Sequence, residues 1–321
     1  MEHVVFTLIN MKLLITTCCC LLLSACLNST EQTVQKYYSW NGLEPDRWSS
    51  IWLIKRHIDP AAEISIMPAG AQLNNAVSIA TPSSKIKRTH GFSNYENMLK
   101  SFDKTGDVGL MRLCKIINEI EISPWRSSTP AVAVVEQQFR ELQFKHNRVD
   151  VPYECYAGFF DILYNVLKIG EVEASDVYLE HLNAQLEPDN VCHIASETIA
   201  IDSEAPVLEY SVDYVLKMIS ENKTVVFVDT REDDEFDEHH IPGAVNLKLR
   251  EVNASSAKQF ESADLVISYC IKDFRGYEVA LALSKVGVKN TGIMQPYGLK
   301  GWKDMNLPVA DNTTTESAAI E

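Results

Sequence analysis

The sequence predicts a mostly helical domain followed by an α/β domain built on a mainly parallel sheet. Three observations carry that prediction. The 321 residues suffice for two domains of ordinary size. Between Ser93 and Leu167, apolar side chains recur at helical spacing behind successive capping signals. Beyond Pro206 the pattern changes to short apolar runs, Val225–Val228 and Leu265–Tyr269. The second run passes through a short loop into a helical pattern at Tyr277, Val279, Ala280, Leu281 and Leu283, the strand–loop–helix order of a parallel sheet.

The N-terminal segment reads as an export signal. Met11-Lys12 precedes an apolar stretch from Leu13 to Leu23, followed by Leu23-Ser24-Ala25-Cys26. A basic start, a short apolar core and small residues before a cut define such a signal, too short for an ordinary spanning helix. The tetrapeptide resembles the lipobox of bacterial lipoproteins, which implies cleavage after residue 25 and lipid on Cys26. No aspartate follows Cys26, so an outer-membrane anchor facing the periplasm is expected, with membrane lipid as a partner through Cys26. Residues 26–36 form a short polar tether, and Met1–Asn10 reads as an upstream start or an unusual n-region.

The helical domain is assigned to residues 37–169. Asp46-Arg47 opens an apolar stretch through Ile51-Trp52-Leu53-Ile54 that stops at Asp59-Pro60, a pair that opposes helix continuation. Glu63–Met67 reads as a strand. Ser93 and Glu96 have capping-box spacing, Asp107 can cap the next helix, Thr129-Pro130 starts a third, and a fourth runs from Val151 to Leu167. Residues 170–205 read as an acidic linker with one helix from Ser175 to Gln185; residues 310–321 are a polar tail.

In the domain assigned to residues 206–309, Cys270 ends an apolar strand and Arg275 follows it five positions later. A sulfur at a loop facing a helix N-terminus meets converging N–H groups and a dipole that favour a thiolate. The landmarks Val225–Arg231 with Glu235-Phe236, His240–Asn246, Tyr297–Trp302 and Leu307-Pro308-Val309 stand in order around that loop. The region resembles the rhodanese domain. That resemblance implies a sulfurtransferase in which Cys270 is the catalytic residue and carries sulfane sulfur as a persulfide. It also implies a small sulfur donor and a thiol acceptor as partners. Ile271, Lys272, Asp273, Phe274 and Arg275 form the substrate-binding loop on this reading, with Asp229 and Arg231 in support. The six residues from Cys270 to Arg275 match sulfurtransferases rather than the related phosphatases, whose loops carry one more.

Two positions depart from the family. Asp273 stands where glycine is usual, and Gly276 stands where serine often follows the arginine. A carboxylate at the rim of an anion cradle repels thiosulfate. This leaves a second function class open: a lipid-anchored binding or sensing protein for oxyanion or redox stress that uses the rhodanese fold as an interaction module.

The middle region resembles the C-terminal domain of the bacterial chromate-resistance protein family. The carrying residues are Asp46-Arg47 with Trp52–Ala61, then Phe92–Glu96 and Ala157–Tyr164. The resemblance implies a role in chromate or oxyanion stress. Arg47, Arg56, Asp59 and His90 are its polar candidates; two arginines on a short helix could clamp an oxyanion, or Arg47 and Asp59 could brace helix ends.

Composition excludes one class of partner. With 29 basic and 44 acidic residues the formal net charge is −15, which argues against nucleic acid. Four cysteines, Cys114, Cys155, Cys192 and Cys270, belong to the folded body. Cys114 and Cys155 lie on apolar helical faces, where a bridge or two buried thiols are both possible. Cys192-His193 lacks a second spaced ligand pair and reads as packing near the linker. No cofactor and no metal are expected, and no protein partner can be named. His239 and His240 are expected in a surface turn, beside an acidic run from Arg231 to Glu238 that is mostly solvated.

Overall fold

A computed structural model describes residues 34–89, 91–123, 127–148, 151–169, 175–194 and 207–311. The first domain opens with a small parallel sheet in the order β2-β1-β3, where β1 is Lys36–Trp40, β2 Glu63–Met67 and β3 Val77–Ser78. The sequence showed only β2. β1 starts on the last residue of the expected tether and runs into the expected helical domain, and β3 has two residues, too few for a period-2 pattern. Helix α1, Pro45–Leu53, starts on a proline whose missing N–H costs nothing there. It continues into a π-turn, Ile54–Ile58, and ends at Asp59, ahead of Pro60.

The capping signals act as their chemistry predicts. The Ser93 side chain accepts from Glu96 N at the start of α2, Asn94–Ser101, and Asp107 accepts from Leu110 N at the start of α3, Val108–Glu121. Helices α4, Pro130–Lys145, and α5, Tyr153–Ile169, complete the bundle around Trp52, Phe139, Phe159 and Leu163. Helix α6, Asp176–Leu186, and the short α7, Pro188–Val191, lie in the segment expected to be a linker. They are part of the first domain instead, because Leu182, Leu186 and Val191 are buried in its core. Cys192, just beyond α7, is bonded to Cys155 of α5. The bridge considered between Cys114 and Cys155 is therefore excluded; Cys114 is a buried free thiol, which burial pushes up to about 12.

The second domain has a five-stranded, wholly parallel sheet in the order β4-β8-β7-β5-β6. The strands are β4 Leu208–Ser211, β5 Val225–Asp229, β6 Val245–Asn246, β7 Leu265–Tyr269 and β8 Thr291–Gln295. β7 is central and all five of its residues are buried, which explains its unbroken apolar run. Alternation divides it between two cores. Leu265, Ile267 and Tyr269 pack with α8, Val212–Ser220, and with α12, Gly298–Asp304. Val266 packs with α11, Phe274–Lys285. The small helices α9, Asp233–Glu238, and α10, Ala254–Ala257, complete the domain. Among the described residues, no helix is long and apolar enough to cross a membrane.

Candidate functional site: the Cys270 loop and the cleft beside it

The Cys270 loop leaves the carboxyl end of β7 and enters α11 at Phe274. Gly276 lets the helix lie against the strand: a Cβ there would sit 2.9 Å from the Ser268 carbonyl oxygen and 2.9 Å from Tyr269 Cα. That contact is a physical reason for glycine where related loops often have serine. From behind, the start of α12 holds the loop. Leu299 N donates to Cys270 O at 2.8 Å and Lys300 N to Ile271 O at 2.9 Å. Gly298, at φ +63°, packs so closely that a Cβ would come within 1.7 Å of Lys272 O.

From the front, the loop is gripped by α4 and the turn after it. Lys272 Nζ bonds Glu136 Oε2 at 2.7 Å. Arg148 Nη2 bonds Asp273 Oδ2 at 2.6 Å, and Arg140 Nη1 pairs with Asp273 Oδ1. Phe274 is fully buried in the core of the first domain, edge-on to Phe139 with ring centroids 6.1 Å apart. The Arg140 guanidinium lies 4.4 Å from the Phe274 ring centroid and 4.2 Å from that of Tyr297. Arg275 makes a two-pronged pair with Glu235 of α9, at 2.8 and 3.0 Å. Ile271 is buried in the core of the second domain. Each of the five side chains expected to receive substrate thus has a protein partner.

Electrostatics follow from that enclosure. Burial alone would raise the Asp273 carboxyl; the Arg140 and Arg148 guanidiniums overcome it and hold the group below the usual carboxylate range. The unexpected carboxylate is therefore neutralised from the first domain and does not sit bare at the rim of a cradle. Cys270 goes the other way. Its thiol is free but 2 % exposed. Burial pushes it up to about 11, against the partial pull of Arg275 and the Gly276 amide. The expectation of a thiolate is corrected for this state, because desolvation exceeds the stabilisation from the helix start.

A cleft between the domains runs beside the loop. One cavity of about 400 Å³ is lined by residues including Trp40, Asp46, Arg47, Arg88, Arg275 and Glu278, and a second of about 480 Å³ by residues including Arg88, Cys114, Glu235 and Ile271. Asp46 is the hinge of the polar network. It accepts from the backbone amides of Asn94 and Tyr95 at 2.9 Å each and from Arg88 at 3.0 Å. Arg88 also pairs with Glu121 at 3.0 Å. Burial raises Glu121 to about 7, and burial together with nearby Glu44 raises Glu278 to about 8. A carboxyl group raised in this way holds a proton that the unfolded chain releases. Its cost therefore grows as pH climbs from about 4.5 towards about 8. Glu278→Gln is expected to melt higher than the parent at pH 8 and nearly level with it at pH 5, measured by thermal denaturation at both pH values. Equal shifts at both would refute a protonated Glu278.

The remaining candidates are scattered. Asp229 and Arg231 form a buried ion pair at 2.7 Å, and Arg231 also donates to the His239 carbonyl oxygen. Arg47 pairs with Glu44 and donates to Trp40 O at 3.2 Å, at the first cavity. Arg56 is outside that lining and makes a two-pronged bond to Asp161. The two arginines thus serve different carboxylates and do not form one clamp. Asp59 accepts from Ala61 N at 3.2 Å in the turn after the π-turn. His90 and Cys26 lie outside the described residues. His240 is buried, not at the surface: it stacks on Phe236 and its Nδ1 is 2.9 Å from Phe236 O. Glu136, Arg140 and Arg148, which hold the loop, were not identified from the sequence. The unusual Asp273 showed that a cation was needed there, without showing which one.

The fold and loop define a rhodanese-like module joined to a helical domain that grips its cysteine loop. Residues 37–167 match the ChrB C-terminal domain, and residues 211–305 match the rhodanese-like domain. The chain thus carries a region similar to the ChrB C-terminal domain followed by a region similar to a rhodanese-like domain. No curated protein matches it. Among solved structures, the rhodanese-like domain of an Anabaena protein is 22 % identical, covers 36 % of this chain and 86 % of its own, and has a TM-score of 0.29. A thiosulfate sulfurtransferase from Pseudomonas aeruginosa is 19 % identical over 34 % of this chain and 21 % of its own, with a TM-score of 0.28. A rhodanese with anions from E. coli is 25 % identical over 27 % of this chain and 99 % of its own, with a TM-score of 0.24.

Proposed function

We propose that this protein is a sulfurtransferase-type carrier in which Cys270 takes up sulfane sulfur as a persulfide, and that the ChrB-type domain holds its loop closed. The observation that carries the reading is a free Cys270 at the β7–α11 loop, beside Arg275 and bonded by the Gly276 amide. In the step, the Cys270 thiolate attacks the outer sulfur of a donor such as thiosulfate. The sulfur–sulfur bond of the donor breaks, sulfite leaves with the electron pair, and Cys270 holds a persulfide. An acceptor thiolate then takes the terminal sulfur and Cys270 leaves as thiolate. The closed state holds a protonated thiol, so release of the loop from Arg140 and Arg148 precedes attack.

The same proposal places the chain on the outer membrane, facing the periplasm and anchored by lipid on Cys26. The Leu23–Cys26 tetrapeptide supports this, as does the Cys155–Cys192 disulfide, a bond that persists in oxidising compartments. The ChrB match supports a role in chromate or other oxyanion stress.

A second reading, a binding or sensing protein, is favoured by the burial of Cys270. It is also favoured by Arg88 Nη1 and Arg275 Nε, buried donors without a hydrogen-bond acceptor in the protein that an oxyanion could occupy. Intact-protein mass spectrometry after exposure to thiosulfate or polysulfide separates the two. The expected result is a cyanide-reversible gain of one sulfur atom that is lost in Cys270→Ser. Absence of any gain with a folded protein and a titratable Cys270 would leave the binding reading in possession.

A further inference from the structure

His146, Cys155 and Cys192 come from three separate places in the chain and meet in the first domain. His146 closes α4, Cys155 lies in the first turn of α5, and Cys192 follows α7. All three are buried, and their donor atoms lie within 4.8 Å of one another. His146 Nε2 is 3.4 Å from Cys192 Sγ and 3.9 Å from Cys155 Sγ. Donors bound to one thiophilic ion sit about 2.0–2.3 Å from it, which places them roughly 3.3–3.8 Å from one another. The imidazole already has that relation to Cys192 Sγ and lies about 0.1 Å beyond it from Cys155 Sγ.

We propose that reduction of the Cys155–Cys192 disulfide by a dithiol turns this cluster into a three-ligand site for a thiophilic d10 cation such as zinc. The dithiol supplies two electrons and two protons and becomes a disulfide. The two thiols then lose their protons to solvent as the cation binds both sulfurs and His146 Nε2. The site lies in the turn that delivers Arg148 to Asp273, two residues beyond His146. Occupation by a metal and grip on the Cys270 loop therefore share one short segment.

The test is zinc binding by the purified full chain, reduced with a phosphine and followed by competition with a chromophoric chelator. One equivalent is expected in the reduced protein beyond what the oxidised protein binds. His146→Ala keeps every cysteine and is expected to lose that equivalent, or to weaken it at least tenfold. Zinc should also raise the melting temperature of the reduced parent and leave that of reduced His146→Ala unchanged. Equal zinc binding by oxidised and reduced protein, or by parent and His146→Ala, overturns the proposal. So does a reduced chain that unfolds and is not restored by zinc.

Discussion

Asp273→Ala is expected to destabilise the protein by about 3 kcal/mol and to expose Cys270 to alkylation. The carboxylate is 1 % exposed and lies between two guanidiniums that are themselves almost buried. Removing one partner of a buried ion pair typically costs about 3–5 kcal/mol, because the remaining charge stays desolvated. The lower end applies here, since Arg140 keeps Glu136 and Arg148 keeps Glu209 at 3.6 Å. Denaturant unfolding gives the stability change, and the rate of iodoacetamide labelling at Cys270 gives the opening. Labelling should quicken at least tenfold, the change a loss of about 1.4 kcal/mol in closure would produce. A variant as stable and as slowly labelled as the parent would show that the grip of α4 contributes nothing.

This pair also sets a pH dependence. Asp273 is held below its ordinary value in the folded state, so its contribution is complete above about pH 4 and is lost as pH falls further. The melting temperature of the parent should therefore drop more steeply between pH 5 and pH 3 than that of Asp273→Asn.

Gly298→Ala is expected to cost roughly 2–6 kcal/mol, the sum of overpacking and of a left-handed backbone forced on a residue with a Cβ. The new methyl would lie 1.7 Å from Lys272 O and 2.6 Å from Cys270 O, both backbone atoms that no rotamer change can move. The loop must shift, and the persulfide uptake proposed for Cys270 should fall with stability. Gly287→Ala is the control: its φ is also positive, at +96°, but nothing lies within 4 Å of a Cβ there. It should show the backbone cost alone. Similar losses for both variants would mean that the contact between α12 and the loop is not tight.

Much of the fold was legible because it rests on local signals. Ser93, Asp107 and Pro130 mark three helix starts through hydrogen bonds or a fixed φ that depend only on nearby residues. β7 announced itself because a central parallel strand is buried on both faces. β1 and β3 were missed because a short strand is defined by its pairing, as when Tyr37 meets both Ile64 and Val77. The candidate site was half legible. Cys270, Arg275 and the length of the loop can be read within one segment, whereas Glu136, Arg140 and Arg148 are an ordinary helix face and turn until the domains meet.

The sequence alone determined the order of the two domains, the helix starts, the central strand and the position of the cysteine. Each depends on residues a few positions apart, whose chemistry acts before the chain is packed. Only the tertiary structure decided the state of that cysteine. Its protonation, the neutralisation of Asp273, the Cys155–Cys192 bond and the absorption of the linker into the first core all depend on distant segments excluding water from the same place. Desolvation and ion pairing are properties of that enclosure, and no stretch of sequence carries them by itself.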